Sequence, residues 1–191
     1  MNMHSLTGIT ISEFLDRLAA DEPTPGGGAV AALVAALAAG LGEMTCAFTL
    51  GRPKFAQVEP QVREIATRLA RADHMLRKLV DEDAEAYGRL SAAFKLPKDD
   101  PQRTGRIAHA AGLAAGVPFQ TATLSRQVRG DLRALIELAN PRLRSDIDAG
   151  LHLAEAAYQA AVANVSINLP FMQADDGRRM QRELDRLNQE A

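Results

Sequence analysis

A single carboxylate interrupts an otherwise apolar row. Val62, Ile65, Leu69, Ala72, Leu76, Leu79, Asp83, Ala86, Leu90 and Ala93 follow one another at alternating spacings of three and four. That is the pattern of one helix face turned into a bundle. Asp83 is the one member that could take up or give up a proton. A buried carboxylate is costly unless paired, and desolvation raises its pKa toward the range useful for proton transfer. Its neighbours Asp81, Glu82 and Glu85 fall on other faces and can point to solvent. The competing reading is that the row meets a wet rim at Asp83, or that Asp83 forms a structural ion pair.

The second chemical feature is PTPGGGAVAALVAALAAGLGEM, Pro23 to Met44. Pro23 and Pro25 stop the preceding element, and Gly26, Gly27 and Gly28 permit backbone angles other residues avoid. Bare N–H groups at the start of the following helix can hold an anion. A flexible joint ahead of a tightly packed helix fits the same residues. Two further groups come into question. Asp146, in RSDIDAG, falls in the first turn of a helix, where an acidic residue also serves the helix dipole. Arg52, Lys54, Lys95 and Lys98 lie beside proline-terminated helix ends, where they could hold a polyanionic substrate or complement helix C-termini.

Other chemistries lack their residues. The four histidines, His4, His74, His109 and His152, have no metal-ligand spacing, so no metal is expected. GGGAVAAL lacks the Lys-Ser/Thr ending of a phosphate-binding loop, and no G-x-S-x-G elbow is present. Cys46 is a lone thiol in an apolar stretch and reads as buried and inert.

The elements that must position these groups are helical. Thr10-Ile-Ser-Glu13 has the form of a capping box and opens a helix to about Ala20. A helix from about Gly28 to Leu50 is built of Ala and Gly, which allow neighbouring backbones to approach closely. The third runs from about Pro60 to the Leu96-Pro97 step. The fourth runs from about Pro101 to Ala139, with Gly116-Val117-Pro118 expected to kink or split it. The fifth starts with Ser145 as N-cap, Asp148 three residues on, and carries the stripe Ile147, Leu151, Ala154, Tyr158, Ala161, Val165, Asn168. A weakly amphipathic sixth spans about Asp176 to Gln189. The pattern predicts an all-α, mainly antiparallel multi-helix bundle forming one domain over residues 1–191.

Composition agrees. The 191 residues are 47% hydrophobic and 24% charged, ordinary for a globular domain. A net charge of -2 argues against a nucleic-acid partner. MNMHSLTGIT lacks the basic start and apolar run of a targeting signal. The apolar run Ala29 to Gly42 falls short of the ~18 residues of a membrane span. One cysteine suits a reducing compartment. The expectation is a cytoplasmic protein with no membrane partner.

Taken in order, PTPGGGAVAAL, LGRPKF, VDEDAEAY, FKLPK, Val117-Pro118, the N-x5-D run from Asn140 to Asp146, and NVSINL at Asn164 to Leu169 resemble the cyclodeaminase/cyclohydrolase family. Its members are formiminotetrahydrofolate cyclodeaminases, alone or as half of a bifunctional enzyme, and methenyltetrahydrofolate cyclohydrolases. The resemblance implies an all-helical homodimer with folate clefts near the subunit contact. It implies a catalytic role for Asp83 and carries Pro25, Gly26, Gly27 and Gly28 over as part of the substrate cleft. It carries the Ser-Asp pair onto Ser145 and Asp146; the basic pair after the second helix carries over less well, and Lys54, Lys95 and Lys98 stand as candidate substrate contacts from their place at the helix ends. Two departures stand out: Arg52-Pro53-Lys54 replaces a run of consecutive basic residues, and Ala139 replaces a glycine before Asn140.

The implied chemistry passes through a tetrahedral carbon between N5 and N10 of tetrahydrofolate, reached by cyclodeamination of the formimino form or hydrolysis of the methenyl form. The folate carries the one-carbon unit, so no other cofactor is needed. Rival readings are a different enzyme binding phosphate at Gly26–Gly28, and a non-catalytic binding or assembly bundle. Reduced-folate binding, read as a thermal shift, separates the last from the enzymes.

Overall fold

A computed structural model describes residues 5–189. His4, and with it the start of the stretch read for a targeting signal, lies outside the described residues. Six α-helices occur among them: α1 (Ile11–Ala19), α2 (Gly27–Ala47), α3 (Glu59–Phe94), α4 (Arg103–Leu138), α5 (Arg144–Ser166) and α6 (Ala174–Gln189). Short 3-10 turns cover Leu6–Gly8, Pro53–Phe55, Pro141–Leu143 and Leu169–Phe171. The all-α bundle expected from the periodicity is what forms.

Helices α2 to α5 run up and down alternately, and α2 packs against α3, α4 and α5. The row read on α3 lies inward: Val62, Leu69 and Leu76 are fully buried, as are Ile65, Leu79 and Leu90 to within a few per cent. All but Leu90 meet Val128, Leu132 and Leu135 of α4 and Ile147 and Ala154 of α5 in one core, and Leu90 packs with Ile107 and Ala111 of α4 in a second cluster. The α2 contribution is made of small residues, with Ala29, Ala32, Ala35, Ala38 and Ala39 at 0% exposure. Arg68 of α3 clamps Asp131 of α4 through Nε at 2.9 Å and Nη2 at 2.6 Å. Burial pushes the Cys46 thiol up to about 11, so it stays protonated at neutral pH.

Helix ends follow local chemistry in some places and not in others. Thr10 Oγ1 accepts the Glu13 N–H at 3.1 Å, as the capping box requires. Ser145 is not the N-cap of α5. The Pro141–Leu143 turn feeds directly into the helix, which begins at Arg144, and no extended residue is left to cap it. Asp148 instead accepts from Arg144 Nε at 3.0 Å. The end of α3 is held by Arg103, which donates to Leu96 O at 3.1 Å and Phe94 O at 3.2 Å.

Two expectations change. α4 is not split at Gly116-Val117-Pro118; it is one helix of 36 residues with Pro118 buried inside it. The carbonyl that Pro118 cannot serve, Ala114 O, accepts instead from Asn168 Nδ2 at 3.3 Å. The length argument about the apolar run also changes, since α2 has 21 residues and is long and apolar enough to cross a membrane by length and composition. Here α3, α4 and α5 pack against it and bury 56% of its apolar window.

The close packing of α2 depends on Gly42. A methyl group there would lie 2.7 Å from Leu69 Cδ1 and 3.1 Å from Leu132 Cδ2. Gly42→Val is therefore expected to lower unfolding free energy by about 1–3 kcal/mol through overpacking. Gly130→Ala, on the exposed side of α4 with open space around it, should add about 0.5–1 kcal/mol. Urea unfolding of both variants checks the contrast.

Candidate active site

The first turn of α2 and the middle of α3 meet at one polar contact. Ala29 N–H donates to Asp83 Oδ2 at 2.9 Å. Ala29 is one of the first-turn residues whose N–H has no partner within the helix. The anion at this helix N-terminus is thus the protein's own carboxylate. Intrahelical bonding begins one residue later, with Val30 N–H to Gly26 O at 3.0 Å.

Gly28 makes the contact possible. A Cβ at this position would overlap the carboxylate of Asp83. A Cβ at Gly27 would press on Asn164, 3.1 Å from Nδ2 and 3.4 Å from Oδ1. The two glycines therefore admit two polar side chains, one from α3 and one from α5. None of the three glycines has a positive φ, so close approach is the reason for them here.

A cleft of about 260 Å³ opens beside this contact, lined by Thr24, Gly26, Gly27, Gly28, Asp83, Tyr87, Ala114, Asn164 and Asn168 among others. Asp83 is half-buried at its edge. Desolvation raises its pKa above the ordinary 3.8, and the Ala29 N–H bond partly opposes that. Among the described residues no Lys, Arg or His lines the cleft. Its positive potential comes from the α2 N-terminus and its negative charge from Asp83. A carboxyl with a raised pKa at the wall of a cleft can move a proton between two atoms of a bound molecule. The same carboxylate repels a phosphate from the glycine turn, so a phosphate loop does not suit this geometry.

The remaining candidates lie elsewhere in the chain. Pro25 is buried and does not appear in the lining of the cleft. Lys54 is exposed on the Pro53–Phe55 turn, its Nζ 5.5 Å from the Phe55 ring. It follows the C-terminus of α2, about 30 Å from the glycines at helical rise. Ser145, exposed, and Asp146, half-buried, occupy the first turn of α5 at that same far end. They are roughly 27 Å along α5 from Asn164. Lys95 and Lys98 are exposed just past α3, about 18 Å or more beyond Asp83. Within one subunit the fold unites Asp83 with Gly26–Gly28 and leaves these residues outside the cleft.

The residues that sequence reasoning did not place here are Tyr87, Asn164 and Asn168. Tyr87 lies one helical turn from Asp83, so a search along that helix face could have found it. Asn164 sits on α5 and Asn168 in the turn just past its end, both inside the NVSINL motif. Asn168 even ended the stripe read on that helix, but its meeting with α2 and α4 is tertiary.

Gly28→Ala tests the contact. The fold should persist, because the clash is with the end of a movable side chain. The carboxylate must shift off the Ala29 N–H, so turnover should fall at least about 100-fold, the low end for losing an acid–base group. Circular dichroism and activity together check this; full activity would remove Gly28 from the account.

The family described as formiminotransferase-cyclodeaminase matches residues 10–186. A methenyltetrahydrofolate cyclohydrolase of Methylorubrum extorquens is 31% identical over 163 residues, covering 83% of this chain and 78% of that protein. The formimidoyltransferase-cyclodeaminase of Mus musculus is 35% identical over 175 residues, covering 90% of this chain. The chain spans only 32% of that longer protein. The crystal structure of formiminotetrahydrofolate cyclodeaminase from Thermotoga maritima superposes with a TM-score of 0.88 at 31% identity, covering 96% of this chain and 90% of that one. With the family match running through nearly the whole bundle, and the cleft inside it, the chain belongs to the formiminotransferase-cyclodeaminase family.

Proposed function

We propose that the protein is a folate one-carbon enzyme that converts formiminotetrahydrofolate to 5,10-methenyltetrahydrofolate and ammonia, or hydrolyses the methenyl form through the same tetrahedral carbon. The observation that carries this reading is Asp83: a carboxyl with a raised pKa, fixed by the Ala29 N–H, on the wall of a cleft without cationic side chains. Relatives named for these two activities support it. Both reactions need a group that takes a proton from one nitrogen or from water and returns it to another nitrogen. An acid–base carboxyl contributes on the order of 100- to 10,000-fold to such a step. The reading requires no cofactor beyond the tetrahydrofolate, and it places the enzyme in the cytoplasm.

The same reading includes a homodimer. Support comes from the outer side of α1 and α2. A groove of about 790 Å³ there is lined mostly by apolar residues, Leu33, Leu37 and Phe14 among them. Ile11 is 81% exposed, and Leu15 and Leu37 are each 55% exposed. An apolar face of that kind on a folded protein marks an interaction surface. An antiparallel two-fold contact along α2 would set the Lys54, Ser145 and Asp146 end of one subunit beside the Gly26–Gly28 end of the other. Light scattering at micromolar concentration should give a dimer, and Leu37→Asp should give a monomer. A monomeric unsubstituted protein would sink this part.

Asp83→Asn tests the catalytic part. The amide keeps the size and can still accept from Ala29 N–H, but it does not titrate. Turnover on both folate substrates should fall at least about 100-fold. Stability should hold or rise at neutral pH. The folded pKa lies above the ordinary 3.8, so folding disfavours the ionised form. That cost is absent below 3.8, grows as pH rises through the window up to the folded value, and is complete above it. The advantage of the variant should therefore shrink as pH falls toward that window. Near-normal turnover by Asp83→Asn would move the acid–base role to another residue, Asp146 first.

A further inference from the structure

The two asparagines of the cleft spend the same end of their amides on backbone carbonyls. Asn168 Nδ2 donates to Ala114 O at 3.3 Å and to Asn164 O at 2.9 Å. Asn164 Nδ2 donates to Ala160 O at 2.8 Å. The carbonyl partners settle which end of each amide is nitrogen. Among the described residues no N–H or O–H donates to either Oδ1. Each amide therefore keeps an acceptor without a protein donor, on a residue that lines the cleft with Asp83.

The orientation of Asn168 has a cause on the opposite helix. In an unbroken helix the N–H of residue 118 would donate to Ala114 O. Proline has no N–H, so the carbonyl of Ala114 is left without a helical donor. Ala114 lines the cleft, and Asn168 supplies the missing bond. A buried proline inside an unbroken helix destabilises that helix, and here it frees one acceptor at the site.

Asp83 and the two amide oxygens put three acceptors on this wall, one of them an anion, beside the hydroxyls of Thr24 and Tyr87. Such a wall favours a group that donates several hydrogen bonds and carries positive charge. In cyclodeamination that group is the formimino nitrogen as it departs. N10 bonds to the formimino carbon, and its proton passes to the departing nitrogen, with one more proton drawn from solvent. The C–N bond then breaks with its electron pair on nitrogen, leaving the methenyl cation and ammonia.

We propose that Asn164 Oδ1 and Asn168 Oδ1, together with Asp83, hold the nitrogen that leaves as ammonia, and that Pro118 is a positioning residue that aims Asn168. This rests on the folate reading above and chooses within it, making the cleft better matched to deamination than to hydrolysis. In hydrolysis the group on the carbon is an oxygen with fewer protons to donate.

The experiment compares the unsubstituted protein, Asn164→Ala, Asn168→Ala, Pro118→Ala and the Pro118→Ala/Asn168→Ala double variant. Formimino- and methenyltetrahydrofolate are the substrates, and circular dichroism and thermal melts accompany the kinetics. Asn164→Ala and Asn168→Ala should each lower kcat for deamination at least about 10-fold, as expected for losing a hydrogen bond to a charged group. The loss on deamination should exceed any loss on methenyl hydrolysis by at least about 10-fold, and should fall mainly on kcat, since the acceptors act on the leaving nitrogen. Pro118→Ala should melt at a higher temperature yet deaminate more slowly. A purely structural proline would not produce that pair of changes. The double variant should lose no more than Asn168→Ala alone, because Pro118 acts through Asn168. Unchanged deamination in Pro118→Ala, or losses that multiply in the double variant, overturn the positioning role. Equal losses on both substrates overturn the leaving-nitrogen role, as does a protein that hydrolyses methenyltetrahydrofolate but does not deaminate. A protein that turns over neither folate overturns the folate reading itself. Should Asn168→Ala lose helix content, Asn164→Ala, whose amide bonds only within its own helix, carries the leaving-nitrogen test.

Discussion

The contact between Asp83 and the first turn of α2 is the constraint around which this end of the bundle is arranged. A carboxylate displaces an apolar residue from an otherwise unbroken inward row and must be compensated. The compensation is one backbone N–H at 2.9 Å and the positive end of α2. For the two to meet, α2 must begin within reach of the α3 side chain, which excludes a Cβ at Gly28. The glycine run, the apolar row and the lone aspartate are three sequence features with one shared physical cause.

The bond to Ala29 also sets the character of the carboxyl. Desolvation raises its pKa, and a full set of hydrogen bonds would have cancelled that rise. One N–H does so only in part. The group stays poised to accept or release a proton, in a cleft that no Lys or Arg among the described residues lines. Asp131, clamped by Arg68, has a different task in the same protein: it ties α3 to α4.

Close packing and site geometry are coupled through small residues. α2 is mostly Ala and Gly on its buried sides, so α3 and α5 approach it closely enough for Asp83 and Asn164 to touch its first turn. At the other end of α2, Gly42 lets Leu69 and Leu132 close over it. On the remaining side α4 contributes a carbonyl freed by Pro118, and α5 answers it with Asn168. Each helix of the central four thus brings one element to the cleft: a first turn, a carboxylate, a free carbonyl and a pair of amides.

Much of this was legible in the chain because it rests on periodicity and local chemistry. The three-four spacing on α3 marks the buried face and exposes Asp83 as its exception, and Thr10 caps α1 as its residue type dictates. Thr10 and Asp83 depend only on near neighbours along the helix. What the tertiary structure alone decided depends on groups far apart in sequence. Pro118 reads locally as a helix breaker, yet α4 continues, because a donor 50 residues downstream serves the carbonyl it leaves free. Ser145 reads locally as an N-cap, yet the preceding turn already points the chain into the helix. Lys54, Asp146 and Asp83 read as parts of one site, yet two antiparallel helices about 30 Å long set them at opposite ends of a subunit. Residue type and spacing determine which face of each helix is buried. Which buried or half-buried polar groups finally meet is set by the crossing of helices.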